Sequence, residues 1–246
     1  MLTSILTRLS LLTSFAFNTA IASVTVTINQ DQYVFAHQPR LVKVLAPIVN
    51  QANWYWPSAA LYREDDIELE EKRKLLINSI SNLVQRYQAE DPKIAKSLTQ
   101  LQTNITNWRL AKRLPVKIDY DLARMINASN PQLPKGKYIL SLSPRINTVQ
   151  LFGAVKKTGE IPHLPHADIS EYIDNHTLTD LANKDMVILI QADGRLIESP
   201  AAYWNKTHQE VMPGSQLFVP FKQPLFKPEF ANINRQILTL ALSRVR

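Results

Sequence analysis

The sequence predicts an α+β fold: two small mixed-sheet units in tandem, a helical hairpin set into the first, and an amphipathic C-terminal helix. Three observations carry this. Runs of β-branched and aromatic residues flank two long amphipathic segments between Asp65 and Trp108. A second series of short strands and Gly/Pro turns follows Pro144, and one apolar stripe marks the tail beyond Pro228. A chain of 246 residues has room for two modest domains, and its 45% hydrophobic share supplies their cores.

The N-terminus reads as a secretory leader. Arg8 supplies the positive charge, Leu9 to Phe17 an apolar run too short to span a bilayer, and Ala20-Ile21-Ala22 a small-x-small cleavage pattern before Ser23. With no cysteine in the chain, no lipid-anchoring residue follows the cleavage point, and disulfides and thiolate chemistry are excluded. The net charge is +7, or +6 once a leader carrying Arg8 is removed. For an exported chain that charge points to an anionic polysaccharide, a membrane surface or another envelope protein, and not to nucleic acid.

Val24 to Ile28, the turn Asn29 to Gln32 and Tyr33-Val34-Phe35 predict an opening hairpin. Leu41 to Val49 suits a short helix, and Trp54-Tyr55-Trp56-Pro57 concentrates aromatic bulk behind it. Leu69, Leu76, Ile80, Leu83 and Tyr87 share one helix face, as do Ile94, Leu98, Leu101, Ile105 and Trp108. Between the two sets Asp91 is an N-cap, and Pro92 takes the first helical position, where its missing N–H costs nothing. So short a turn makes the helices antiparallel. Arg113 to Ile118 returns to extended chain, and Tyr138 to Leu142 is a strand. In the second unit Thr148 to Ala154 and Val187 to Ile190 are strands, with a short helix at Asp168 to Ile173. Asp193-Gly194 turns into Arg195 to Ile197, and Pro213-Gly214 into Leu217 to Val219. Phe230, Ile233, Ile237, Leu238, Ala241 and Leu242 form the tail's stripe, which docks on the protein itself or on a membrane or partner.

His163, His166 and Asp168, with His176 nearby, form a polar cluster, and an envelope hydrolase or transferase using them is the alternative to a binding protein. Pro162 and Pro165 forbid a regular helix across the histidines, whose spacing of three is not the i, i+4 of a helical zinc site. No GxSxG, GxGxxG or P-loop pattern occurs, so no cofactor or metal is implied. Arg113 lies where the second long helix re-enters the sheet. It either bridges the hairpin to its domain or lines a pocket for carboxylates or sugar hydroxyls. Trp54, Trp56 and Lys117 join it as candidate pocket residues.

"VQLFGAVKKTGEIP", "DISEYI", "DGRLIESP" and "PGSQLFVP" together resemble the soluble ligand-binding β-grasp domain of polysaccharide export proteins. With "WYWPSAAL", "RLPVK", "LFGAV", "WNKTH", "PGSQL" and "NRQILTLALSRV" in order, the whole chain resembles the GfcC family of periplasmic capsule-biosynthesis proteins. That resemblance implies two tandem β-grasp domains, arranged as in Wza-type outer-membrane export channels. The divisions it suggests are a leader at 1–22, a first domain at 23–144 with an insert at about 64–112, a second at 145–222 and a tail helix at 223–246. It also implies a non-enzymatic accessory role in assembly or export of capsule, O-antigen or exopolysaccharide, with polysaccharide or export proteins as partners and possible outer-membrane association. The resemblance implies further that the arginine of the RLPVK motif, Arg113 here, lines a central pocket. The sequence departs from the export-domain pattern at Thr158, Ser215 and Asn175-His176.

Overall fold

The computed structural model describes residues 24–64, 66–173, 178–200, 209–222 and 229–246. The leader read at 1–22, His176 and the WNKTH segment at 204–208 lie outside the described residues.

The chain opens with the hairpin β1 (Val24–Ile28) and β2 (Asp31–Phe35). Its turn is shorter than the sequence suggests, because Asn29 takes a positive φ of 56° and asparagine tolerates that conformation. The helix α1 (Leu41–Leu45) ends before Val49 and leads to β3 (Ala60–Arg63). Two long helices follow, α2 (Glu68–Glu90) and α3 (Pro92–Thr106), before β4 (Lys112–Arg113) resumes the sheet beside β3. Asp91 caps α3 by accepting from Lys93 N at 3.0 Å and Ile94 N at 3.4 Å, which satisfies two orphan donors of the first turn. The short α4 (Tyr120–Met125), capped by Asp119, carries too little periodicity to be read from sequence. β5 (Gly136–Ser141) then runs parallel to β1.

The second unit repeats this plan: β6 (Thr148–Gly153), β7 (Gly159–Pro162), α5 (Ile169–Tyr172), β8 (Met186–Ile190), β9 (Leu196–Pro200) and β10 (Gln216–Val219). Sheet orders are β2-β1-β5-β3-β4 and β7-β6-β10-β8-β9. Each sheet pairs its first and last strands in parallel at the centre and is antiparallel elsewhere. This is the β-grasp arrangement, twice. α6 (Glu229–Leu242) closes the chain.

The packing does not follow the chain. One core joins Val24, Val26, Leu61, Tyr138 and Leu140 to α1 and α4, and belongs to the first sheet alone. A larger core merges the stripes of α2 and α3 with α6 and the second sheet. Trp108 stands edge-on to Phe152, ring centroids 5.5 Å apart, and Phe152 stacks on Phe218 at 5.2 Å. Tyr87 of α2 meets Phe230 of α6 at 6.2 Å. The inserted hairpin thus leaves the first sheet and covers the second. The tail helix buries Phe230, Ile233, Ile237, Leu240 and Ala241 in that same core.

The last residues tie the units together. Ala111 N donates to Ser243 O, and Val245 N to Arg109 O, both at 2.9 Å. Tyr62 Oη donates to Arg244 O at 3.2 Å. Arg246 donates through its guanidinium to Ala192 O and Gly214 O of the second unit, while its own carbonyl accepts from Ser141 Oγ of the first.

Candidate functional site

A cleft of about 790 Å³ opens where the two sheets meet. One wall is the extended segment from Lys112 to Asp119 with Trp56 and Pro57; the other is the β8–β9 turn, Asp193-Gly194-Arg195, with Leu242 and Ser243 of the tail. Pro115 disfavours a helix in the Lys112–Asp119 wall; Leu114, Val116 and Ile118 pack on the first core while also bordering the cleft. Ile118 is buried and Lys117 exposed on that wall.

Arg113 sits half-buried between the walls. Its Nη2 donates to Ala192 O at 3.0 Å, and its guanidinium lies 6.0 Å from the centre of the Tyr62 ring, within cation–π range. No described carboxylate makes an ion pair with it. Burial holds its pKa below the usual arginine value; Arg246 acts the same way, while Tyr62 and Asp193 oppose. The group remains a cation at any physiological pH.

Gly194 makes this placement possible. It adopts φ +93°, and a Cβ there would lie 2.8 Å from Arg113 Cζ and Nε. The guanidinium therefore lies against a bare backbone, which only glycine offers in that conformation. Ser215, standing where export domains carry aspartate, supports the same turn from beneath. It is fully buried, donates to Gln191 Oε1 at 2.8 Å and accepts from Ala192 N at 3.1 Å.

The cleft carries the cations Lys112, Arg113, Lys117 and Arg195 against the carboxylates Asp119 and Asp193. Both carboxylates are engaged: Asp119 accepts from Leu122 N at 3.0 Å, and Asp193 from Arg195 Nε at 2.7 Å. What faces solvent is a basic cleft with an apolar floor of Trp56, Leu114, Val116 and Leu242. Such a mixture suits a polyhydroxylated or acidic ligand.

Of the residues singled out from sequence, Arg113, Trp56 and Lys117 line this cleft. Trp54 does not: its indole Nε1 donates to Ile48 O at 2.8 Å and its ring packs on the first core. Trp56 packs on the same core as well, and an aromatic cluster ahead of a proline does not reveal which ring reaches the cleft. Arg195, Leu242 and Ser243 went unnoticed as site residues, although the Asp193-Gly194 turn had marked the neighbourhood.

The histidine cluster lies elsewhere. His163 Nε2 donates to Val211 O at 2.8 Å. Asp168 precedes α5 and accepts from Gln209 N at 3.2 Å, and its own N–H donates to Glu171 at 2.9 Å. His166 Nδ1 lies 3.7 Å from Glu210. No three metal-ligating side chains converge among the described residues. Arg244, under Trp108, is the other arginine held below its usual pKa, first by burial and then by Arg246.

Two β-grasp sheets, bound together by the residues that follow the C-terminal helix and meeting at a basic cleft, define a tandem β-grasp protein. The GfcC N-terminal capsule-biosynthesis family matches residues 18–145 and its C-terminal counterpart residues 157–246. The chain belongs to this family of capsule-biosynthesis proteins. It is similar to YjbG, an uncharacterized protein of Escherichia coli strain K12, with 29% identity over 196 residues, covering 79% of this chain and 78% of that one. No helix among the described residues is long and apolar enough to cross a membrane.

Proposed function

We propose that this is a non-enzymatic periplasmic accessory protein that binds a surface polysaccharide, or a fragment of one, during its assembly or export. One observation carries the reading: a half-buried guanidinium, Arg113, sits in a basic interdomain cleft and makes no ion pair with any carboxylate of the described residues. Its donors are aimed by Ala192 O and Gly194, so a ligand carboxylate or hydroxyl meets a positioned fork. Trp56 supplies an apolar face for a sugar ring. The predicted leader at 1–22 supports the periplasmic assignment, and membership of the capsule-biosynthesis family supports the pathway.

Membrane docking through the tail is less favoured, because α6 already buries its apolar stripe on the second sheet. Catalysis by His163, His166 and Asp168 is less favoured because each already serves the fold or lies beside a single carboxylate.

Arg113→Ala, expressed in place of the wild-type chain, should lower surface polysaccharide while the protein remains folded and abundant. In vitro it should weaken oligosaccharide binding roughly tenfold or more. Normal surface polysaccharide after complete deletion of the gene would refute the proposal.

A further inference from the structure

A second cleft, of about 530 Å³, lies on the other side of Arg195. Arg195 lines both clefts, so the two share a wall. This one is more polar: the α1–β3 segment contributes Tyr55 and the inter-sheet connection Arg145, while the second unit contributes His163, His166 and Glu210. Of the histidine cluster, His163 and His166 line it.

Its frame is built firmly. Buried Gln191 donates through Nε2 to Glu210 O at 2.8 Å and accepts from Met212 N at 3.0 Å, so its polar atoms are committed to the floor. His163 donates to Val211 O, which leaves Nδ1 as the acceptor nitrogen of the neutral ring. Arg145 lies 5.8 Å from the Tyr55 ring centre and makes no ion pair with a described carboxylate. Arg195 gives Nε to Asp193, and no group of the described residues bonds to its terminal nitrogens. The cleft is thus lined by two guanidinium groups, Arg145 and the terminal nitrogens of Arg195, together with His163 and the Glu210 carboxylate, which lies 3.7 Å from His166 Nδ1.

We propose that this second cleft is a subsite for an acidic sugar residue, its carboxylate held by Arg145 and Arg195 and its hydroxyls by Glu210 and His163. A guanidinium fork matches a carboxylate in two parallel hydrogen bonds, whereas carboxylate and imidazole acceptors suit sugar hydroxyls. The inference rests on the reading of the protein as a glycan binder. It adds that the glycan carries carboxylates and passes over Arg195 from one cleft to the other.

The test titrates the full chain, by calorimetry, with a galacturonic-acid tetrasaccharide and a neutral glucose tetrasaccharide. The acidic probe should bind more tightly, and Arg145→Ala should weaken it roughly tenfold or more while changing the neutral probe little. Arg145→Lys should recover part of the loss, since it keeps the charge without the fork. Acidic-probe affinity unchanged in Arg145→Ala, or equal loss for both probes, overturns the subsite even if Arg113→Ala abolishes binding. Loss in Arg145→Ala with none in Arg113→Ala upholds the subsite and overturns the role given to Arg113. Thermal unfolding of each variant, unchanged from the parent, separates loss of contact from loss of fold.

Discussion

The two β-grasp sheets share one strand order but not one environment. In the first, β1 alternates buried and half-buried positions, and the face opposite α1 carries only a small cluster of Ala60, Tyr62, Ala111 and Ile139 under Val245. In the second, β10 is buried at all four positions, between α5 on one face and α6 with the inserted hairpin on the other. The helices that cover the second sheet are encoded inside the first. Topology therefore does not assign cover to a sheet; whichever apolar stripe reaches it does. A consequence is that neither unit is self-sufficient, because removing one strips the buried surface of the other.

The most direct way to break this comparison is to remove the contact at its centre. Phe152→Ala empties a site between Trp108 and Phe218, and should cost about 3–5 kcal/mol in chemical denaturation. If the hairpin belonged to the first unit energetically, the loss would be much smaller. A double-mutant cycle with Trp108→Ala sharpens the point. The two rings should couple by about 0.5–1.5 kcal/mol, and additive losses would mean that hairpin and second sheet are not one folding unit.

Gly194→Ala tests the junction between the sheets. The added Cβ meets the Arg113 guanidinium at a positive φ, and should destabilise by about 1–3 kcal/mol while weakening saccharide binding by displacing Arg113. Asp91→Ala removes the α3 cap and should cost about 1 kcal/mol, felt in global unfolding only if the hairpin is integral to the second core. The smallest effect expected is for Arg86→Ala. Arg86 pairs with Glu229 at 2.8 Å across α2 and α6, with about half of its side chain exposed, and should contribute about 0.5 kcal/mol and less in high salt.

Much of this was legible in advance, for local reasons. The stripes of α2 and α3, the Asp91-Pro92 turn and the Asp193-Gly194 turn are set by side chains within a few residues of each other and form as read, except that Trp108 follows the end of α3; in α6 the stripe shifts, with Leu240 and Asn234 buried and Leu238 and Leu242 half-buried. β7, α4 and the early end of α1 were not legible, because segments of four to six residues carry too little periodicity to separate them from loops. At the site, Arg113 stood out because a cation between a helix and an apolar run is unusual. Arg195 did not, since a charged residue after an Asp-Gly turn is ordinary.

The sequence by itself determined which residues are apolar on which face, where helices start, and that two α+β units follow one another. Those properties depend on neighbours along the chain. Only the tertiary structure decided that the hairpin covers the second sheet, that Trp54 bonds to Ile48 O while Trp56 lines the cleft, and that Arg246 binds both units. An amphipathic stripe specifies that it must be buried, not against what. The partners come from segments far apart in the chain, and their choice rests on shape and on which polar groups can be satisfied there. Arg113 and Ala192 O, 79 residues apart in sequence and 3.0 Å apart in space, meet only because both sheets have already folded.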